Sequence, residues 1–150
     1  MVYHELMMKG NQTFYIVFHI MKRANGNLYS IIEKPLEYKE KMKIIGDILN
    51  AIKYAHQMKI CHLDLKPENI LNFNGLINIA DWGSAKRKFE NTTVPVFNQS
   101  NSLTRLAMTI KYTPPEIRQR LPNLNLFKAD VFAFGLICCM IMDGMEDDKF

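Results

Sequence analysis

Two apolar segments and a shorter helical pattern occupy the start of the chain. Residues 2–8 and 13–21 are rich in Val, Ile, Phe, Tyr and Met, with turn-forming residues between them. This pattern predicts a strand hairpin. Residues 23–27 break the pattern, and a short helix is predicted from Leu28 to just before Pro35.

The rest of the apolar pattern predicts two longer helices. Between Glu37 and Lys59, apolar residues recur at the spacing of one helix face, at Met42, Ile45, Leu49, Ile52 and Ala55. Residues 127–142 are apolar on every face. A helix of that kind is expected to be buried on all sides.

A second hairpin is predicted in the middle of the chain. Residues 70–73 and 76–80 are short strand-like runs. They are joined by Asn74-Gly75, a pair favoured where both turn residues need a positive φ. Residues 86–106 are polar and irregular. Loops of that length are usually functional or disordered.

The register of this hairpin predicts a metal site. It pairs Asn69 with Ala80 and makes Asp81 the diagonal neighbour of Asn69. Carboxylate and amide oxygens are hard ligands suited to Mg²⁺, which shares its coordination with water and substrate phosphates. Asp64 and Lys66 precede this hairpin. They offer the base and the cation that phosphoryl transfer needs.

Composition and charge narrow the class of protein. The chain has 150 residues, 48% of them apolar, and a net charge of +4 from scattered lysines and arginines. We expect a solvated surface that binds no nucleic acid. The longest apolar run, 131–142, is shorter than a membrane span of roughly 20 residues, and we expect no charged-then-apolar leader. We therefore expect an intracellular, cytoplasmic protein without a membrane contact, and its oligomeric state stays open.

Residues 62–69, His-Leu-Asp-Leu-Lys-Pro-Glu-Asn, resemble the catalytic loop of eukaryotic protein kinases, and Asp81-Trp82-Gly83 resembles the metal-binding DFG triplet of that family. Residues 109–116 fit its T-x-x-Y-x-A-P-E motif, except that Pro114 replaces alanine. Asp130, Phe132 and Gly135 fit the D-x-W-x-x-G opening of its buried central helix. Residues 15–21 resemble the strand and hinge that contact adenine.

The resemblance implies an α+β, protein-kinase-like fold that is mostly the helical C-terminal lobe with the last strands of the N-terminal lobe. Residues 1–21 would be the end of the N-terminal lobe and the hinge. Residues 22–150 would be the C-terminal lobe, with the activation segment at 81–116. We expect the domain to be incomplete, because the family's glycine-rich loop, strand lysine and helix glutamate are not found upstream.

The resemblance also implies a Ser/Thr protein kinase that uses ATP and Mg²⁺ and acts on serine or threonine in a protein substrate. Asp64 would accept or orient the proton of the substrate hydroxyl, and Lys66 would neutralise the moving phosphoryl group. Asn69 and Asp81 would hold Mg²⁺ against the phosphates. Lys66 and Thr109 resemble the Ser/Thr branch of the family, and Thr109 would help to position the substrate.

Further residues receive supporting roles from the same resemblance. Leu71 would form the floor beneath adenine, and Ile20 and Met21 would present hinge backbone groups to its edge. Gly83 would allow the backbone to turn after the metal ligand. The remaining structural positions are His62, Trp82, Glu116 and Asp130. Of the histidines, His56 and His62 are expected to be packing residues.

Two departures leave an alternative open. Leu63 occupies the place of the arginine that captures an activation-loop phosphate, so activation through that pairing is not expected. The lysine that grips the nucleotide phosphates is also not found. The alternative function is therefore a catalytically inactive, kinase-like remnant that serves as a protein-binding module.

Overall fold

The computed structural model describes residues 2–9, 12–87, 109–119 and 124–143. Its strands are β1 Val2–Lys9, β2 Gln12–His19, β3 Gly26–Asn27, β4 Ile60–Cys61, β5 Ile70–Phe73, β6 Leu76–Ile79 and β7 Lys86–Arg87. Its helices are α1 Leu28–Ile32, α2 Tyr38–Gln57, α3 Pro115–Arg118 and α4 Leu126–Asp143. Short 3₁₀ turns occur at Pro67–Asn69, Trp82–Ser84 and Ile110–Tyr112.

The first hairpin is confirmed, with an earlier end than predicted. Strands β1 and β2 are antiparallel, with register from Val2 opposite His19 to Lys9 opposite Gln12. Strand β2 ends at His19, so Ile20 and Met21 lie beyond it. The two residues of its turn fall outside the described ranges.

The second hairpin has the predicted register. Ile70 lies opposite Ile79 in the β5–β6 pair. The turn residues Asn74 and Gly75 have φ values of 56° and 88°, the left-handed conformation that asparagine and glycine adopt most readily. Beyond the strands, the backbone N–H of Ala80 donates to the carbonyl oxygen of Asn69 at 2.8 Å. This bond brings the segment before Asp81 against the segment that ends in Asn69.

Two short strands lie where the sequence predicts irregular structure. Strand β3, in the predicted pattern break, pairs with β5 and completes a three-stranded sheet in the order β3-β5-β6. Strand β7, within the predicted irregular loop, pairs with β4. Both predictions were wrong at these positions, because two-residue strands have no periodicity and depend on their partners. The rest of the predicted 86–106 loop lies outside the described residues.

The main core joins the two long helices to the second hairpin. Its buried residues come from α1, α2, β5, β6 and α4, together with Leu65 and Tyr112 from the connecting segments. A smaller apolar cluster contains Cys61, Leu63, Leu126 and Ala129. The connection between α2 and β5 is therefore held by apolar contacts on both sides.

Polar contacts fix the ends of the long helices. Glu37 and Glu40 form a capping box at the start of α2, in which the backbone N–H of Glu37 donates to the Glu40 carboxylate at 2.9 Å. Lys41 Nζ donates to the carbonyl oxygen of Met142 at 2.8 Å. A cation at that position stabilises the last turn of α4, where unpaired carbonyls carry partial negative charge.

Helix α2 is where the sequence predicts it, and its buried face includes the predicted Ile52 and Ala55 but differs from the prediction in the first half of the helix. The buried residues are Ile44, Ile48, Ile52 and Ala55. Met42 and Leu49, which belong to the predicted face, are 44% and 47% exposed. Residues 44–45 and 48–49 are adjacent apolar pairs, so the sequence is compatible with two different apolar faces of this helix. Contact with α4 and β6 decides between these faces.

The apolar helix α4 is not buried on all sides by the described residues. Val131 is 57% exposed and Met142 is 37% exposed, and Cys139 is exposed between them. The opposite face, with Ala133, Ile137 and Ile141, is buried in the main core. The prediction of complete burial was therefore wrong for this part of the chain. Among the helices of the described ranges, none combines the length and apolar character needed to cross a bilayer.

A pair of neighbouring substitutions tests the face of α2. Ile48→Ala should lower the free energy of unfolding by about 2–5 kcal/mol, because it leaves a cavity in the core. Leu49→Ala should change it by about 0.5 kcal/mol or less, because that side chain is half exposed. Urea denaturation of both variants measures the difference. Equal losses would contradict the observed face.

Candidate active site

Residues 62–69 form a connection between β4 and β5 whose backbone is partly left-handed. Leu63 has a φ of 66°, which is uncommon for a residue with a side chain. Such a conformation persists only where the surroundings hold it. Leu63 is 1% exposed and packs with Cys61, Leu126 and Ala129. The apolar contact therefore fixes the turn immediately before Asp64.

The buried carboxylate of Asp130 holds the same turn from the side of α4. The backbone N–H groups of His62 and Leu63 donate to its Oδ2 and Oδ1, both at 2.8 Å. His56 Nε2 lies 2.7 Å from Oδ2, and the His56 ring packs edge-on against Phe127 at 4.8 Å. The prediction of His56 as a packing residue is therefore incomplete, since it also contacts a buried charge.

Hydrogen-bond donors from Thr109 and Lys66 surround the Asp64 carboxylate. Its Oδ1 accepts hydrogen bonds from the backbone N–H and the hydroxyl of Thr109, both at 2.9 Å. Its Oδ2 lies 2.8 Å from Lys66 Nζ. Burial alone would raise the pKa of Asp64, but the hydrogen bonds from Lys66 and Thr109 outweigh it, and the pKa is lowered. Asp64 is therefore ionised at neutral pH.

Lys66 completes a three-membered cluster with Asp64 and Thr109. Its Nζ also donates to Thr109 Oγ1 at 3.0 Å. The hydrogen bond to Asp64 raises the pKa of Lys66 above its ordinary value, against the opposing effect of burial. The cluster therefore contains a fixed cation beside a fixed anion. Thr109 brings the 109–119 segment to this pair.

Asn69 and Asp81 are the predicted metal ligands. The Asn69 Nδ2 group donates to the Asp64 backbone oxygen at 2.8 Å. Because the side-chain nitrogen of Asn69 is used in this bond, its side-chain oxygen is the atom that could bind a metal ion. Asp81 has a φ of 57°, and its Oδ1 accepts a 3.4 Å hydrogen bond from the Gly83 backbone N–H. Both residues line the same cavity. An amide oxygen and a carboxylate suit Mg²⁺.

His62 connects the 62–69 segment to the segment that contains Asp81. Its Nδ1 accepts the backbone N–H of Asp64 at 3.2 Å. Its Nε2 therefore carries the hydrogen that is donated to the Ala80 carbonyl at 2.9 Å. The ring lies edge-on to Trp82 at 4.6 Å. Trp82 Nε1 in turn donates to the Ile79 carbonyl at 3.1 Å.

The prediction that Gly83 allows the backbone to turn after Asp81 stays a prediction. Asp81, not Gly83, has the left-handed backbone at this turn. A Cβ on Gly83 would lie 3.2 Å from Asp81 Oδ1. The small residue therefore allows the close approach of its backbone N–H to the Asp81 carboxylate.

A cavity of about 970 Å³ lies beside these residues. Met21, Leu71 and Trp82 supply apolar parts of its wall, and Asn69 and Asp81 supply polar groups. Its volume is at the upper end of the range for small-molecule sites, roughly 300–1,000 Å³. Ile20, the other predicted hinge residue, is exposed and does not line the cavity.

The structure brings together most of the predicted site residues. Asp64, Lys66, Asn69 and Thr109 share hydrogen bonds. Glu116 lies half-buried in the first turn of α3, and its structural role stays a prediction. The sequence predicts His56 only as a packing residue and misses its bond to Asp130. Its only signal is a position next to Ala55, on the inner side of α2.

Comparison with known proteins agrees with this arrangement. The profile of the protein kinase domain matches residues 2–146. The chain belongs to the protein kinase domain family. The α+β, protein-kinase-like fold predicted from the motifs is thereby confirmed, and the members of this family generally use ATP and Mg²⁺.

Several curated relatives are similar over most of the chain. It is 32% identical over 132 residues to the serine/threonine-protein kinase PrkC of Bacillus subtilis, covering 87% of this chain and 19% of that protein. It is 34% identical over 127 residues to the mitogen-activated protein kinase sma-5 of Caenorhabditis elegans, covering 81% and 25%. It is 29% identical over 134 residues to Aurora kinase C of Mus musculus, covering 85% and 44%.

A solved structure is similar in fold. A chain of the yeast RNA Pol II CTD kinase CTDK-1 complex superposes with a TM-score of 0.68 at 22% identity. The match covers 94% of this chain and 43% of that one. The chain therefore spans less than half the length of each of these four relatives.

A substitution at Thr109 tests the electrostatics of Asp64. Thr109→Val removes the hydroxyl donor at nearly constant shape, so the pKa of Asp64 should rise relative to the wild-type chain. Thr109→Ser keeps the hydroxyl, and the pKa should stay close to wild type. Carbon-13 NMR of the Asp64 carboxyl, titrated through the acidic range, measures both.

The same titration has a consequence for stability. Because folding lowers the pKa of Asp64, its contribution to stability is present above the ordinary value of 3.8 and is lost as pH falls through the folded value. The Thr109→Val chain should lose that contribution at a higher pH than wild type. An unchanged Asp64 pKa in Thr109→Val would contradict the assigned hydrogen bond.

Proposed function

We propose that this chain carries the catalytic centre of an ATP-dependent Ser/Thr protein kinase. The observation that carries the proposal is the cluster of Asp64, Lys66 and Thr109, in which an ionised carboxylate and a cation are held 2.8 Å apart. Asn69 bonds to the same loop and lines the adjacent cavity. Phosphoryl transfer depends mainly on such positioned charges.

The proposed division of the chain follows the family. Residues 1–21 are assigned to the end of the N-terminal lobe and the hinge, and residues 22–150 to the C-terminal lobe. Residues 81–116 are assigned to the activation segment. The strand end at His19, followed by Met21 on the cavity wall, supports a hinge at this point.

The cavity is proposed as the nucleotide site. Leu71 would form the floor beneath adenine, and Ile20 and Met21 would present hinge backbone groups to its edge. Asn69 and Asp81 would hold Mg²⁺, which would neutralise charge on the nucleotide phosphates. Two observations support this assignment. Asn69 and Asp81 both line the cavity, and the Asn69 bond to the Asp64 backbone uses its side-chain nitrogen and not its oxygen.

Asp64 and Lys66 are proposed to act on the substrate hydroxyl and the transferred phosphoryl group. The serine or threonine oxygen of a protein substrate forms a bond to the γ-phosphorus, and the bond from that phosphorus to the bridging β–γ oxygen breaks, releasing ADP. The hydroxyl proton passes to Asp64. Because the pKa of Asp64 is lowered, its main contribution is to orient the hydroxyl. Lys66 faces the charge that develops on the phosphoryl oxygens.

A substitution at Asp64 tests the activity. Asp64→Asn should reduce turnover by about 10²- to 10⁴-fold, because the group that orients the substrate hydroxyl and accepts its proton is lost. The affinity for Mg²⁺-ATP should change little, since Asp64 is not assigned to the nucleotide. The assay measures Mg²⁺-dependent transfer of γ-phosphate to a mixed library of Ser and Thr peptides. Nucleotide binding is measured separately with a fluorescent ATP analogue.

The assay uses the polypeptide as the cell makes it, with its intact mass determined first. Asp47→Asn is the matched control, because it makes the same change on the outer side of α2, in a surface pair with Lys43. Its turnover should equal wild type. Retention of full turnover by Asp64→Asn would contradict the assignment. A wild-type protein that binds partners but transfers no phosphate would favour the inactive, protein-binding alternative.

A further inference from the structure

Two adjacent cations, Lys22 and Arg23, lie exposed on the segment between β2 and β3. Among the described residues, neither side chain forms an ion pair. The mechanism proposed above uses neither of them. Lys66, by contrast, is held 2.8 Å from the Asp64 carboxylate. The charges of Lys22 and Arg23 are therefore available to an anionic ligand.

Contacts with β5 define where Lys22 lies. Lys22 lines the cavity, and its Nζ lies 5.9 Å from the centre of the Phe73 ring, within the range of a cation–π contact. Phe73 is the last residue of β5, and Asn69 immediately precedes the first residue of that strand. Because a strand rises about 3.3 Å per residue, the Phe73 end and the Asn69 end of the cavity are roughly 13 Å apart.

The two ends of the cavity differ in charge. The pKa of Lys66 is raised mainly by its bond to Asp64, and the charges of Glu68 and Asp81 add to that effect. Both of these carboxylates also line the cavity, so they lie toward its Asn69 end, near Lys66. The Phe73 end instead has Lys22 on its wall. The proposed Mg²⁺ and phosphates belong to the Asn69 end and leave this cation to another ligand.

A peptide substrate has the dimensions to span the two ends. In the proposed function its hydroxyl meets Asp64, whose backbone oxygen accepts a 2.8 Å hydrogen bond from Asn69. The phosphorylated residue therefore lies near the Asn69 end. An extended peptide advances about 3.3–3.6 Å per residue. A residue about three to five positions away along the peptide comes within reach of the exposed side chains of Lys22 and Arg23.

We propose that Lys22 and Arg23 recognise an acidic side chain of the protein substrate, about three to five residues from the phosphorylated serine or threonine. The inference rests on the function proposed above and narrows its substrate class to acidic peptides. A carboxylate at this position meets two cations that have no carboxylate partner among the described residues. The competing explanation is that Lys22 contacts the nucleotide, which would give no preference among peptides.

Paired peptides measure the preference. Each peptide has one serine in a neutral background and a single Glu at one position, up to five residues away on either side. A matched peptide has Gln at the same position. With the polypeptide of the Asp64 assay and saturating Mg²⁺-ATP, kcat/KM should be about 3- to 10-fold higher for Glu at three to five residues on one side. The preference should fall to about 2-fold or less in about 0.5 M NaCl. Equal values for Glu and Gln at every position would overturn the proposal.

Charge substitutions test whether these two residues cause the preference. The double variant Lys22→Glu and Arg23→Glu should favour Gln over Glu, and the double variant Lys22→Gln and Arg23→Gln should show no preference. Lys53→Glu makes the same change at an exposed position of α2, so its ratio should equal wild type. The ratio of two peptides cancels any change in nucleotide binding or in the amount of folded protein. A wild-type ratio in both double variants, or an equal loss in Lys53→Glu, would contradict the assigned role.

A binding measurement separates this inference from the proposed function. The same peptides, with Ala in place of the serine and a fluorescent label, are titrated with protein and followed by anisotropy. Tighter binding of the Glu peptide to wild type, reversed in the Lys22→Glu and Arg23→Glu double variant, supports the recognition site. If no phosphate is transferred in that case, only the proposed function fails. Phosphate transfer without any preference for Glu would leave the proposed function intact and overturn the inference.

Discussion

The rest of the site depends on one buried anion, the carboxylate of Asp130. A charge with 2% exposure is costly to bury unless donors surround it. Here the donors come from two other segments, the end of α2 and the loop before Asp64. The same anion that needs these groups therefore defines where the groups must lie. A left-handed Leu63 is held in this way, by an ionic acceptor on one side and an apolar cluster on the other.

The electrostatic balance at Asp64 follows from that scaffold. The carboxylate is partly buried, yet its pKa lies below the ordinary value because Lys66 and Thr109 donate to it. In the proposed function, this carboxylate orients the substrate hydroxyl and remains charged while it does so. His62 extends the scaffold in the other direction, since its two ring nitrogens join the Asp64 backbone to the Ala80 carbonyl. Asp64 and the segment that immediately precedes Asp81 are therefore parts of one hydrogen-bonded unit.

Much of this arrangement could be predicted because it is encoded locally. The Asn74-Gly75 turn determined the register of the second hairpin, and the order of the motifs identified the family. The buried face of α2 was not predictable in the same way. Adjacent apolar pairs such as 48–49 are compatible with two different faces, and only packing against other elements determines which residue of the pair is buried. The two-residue strands are defined by their partners. The bond from His56 to Asp130 joins residues 74 positions apart, and no local pattern signals it.

The distance along the chain between Asp130 and the loop it holds affects the order of assembly. The two backbone N–H groups that donate to Asp130 belong to residues 68 and 67 positions before it. Ribosomal synthesis proceeds from the N-terminus, so the second hairpin and α2 are complete well before α4 leaves the ribosome. The hairpin pairs adjacent strands, and α2 packs against β6, so these contacts close shorter loops than the contact with α4 does. The nascent chain can therefore form its helix and hairpin early, whereas the loop that carries Asp64 gains its anionic anchor only after position 130 has emerged.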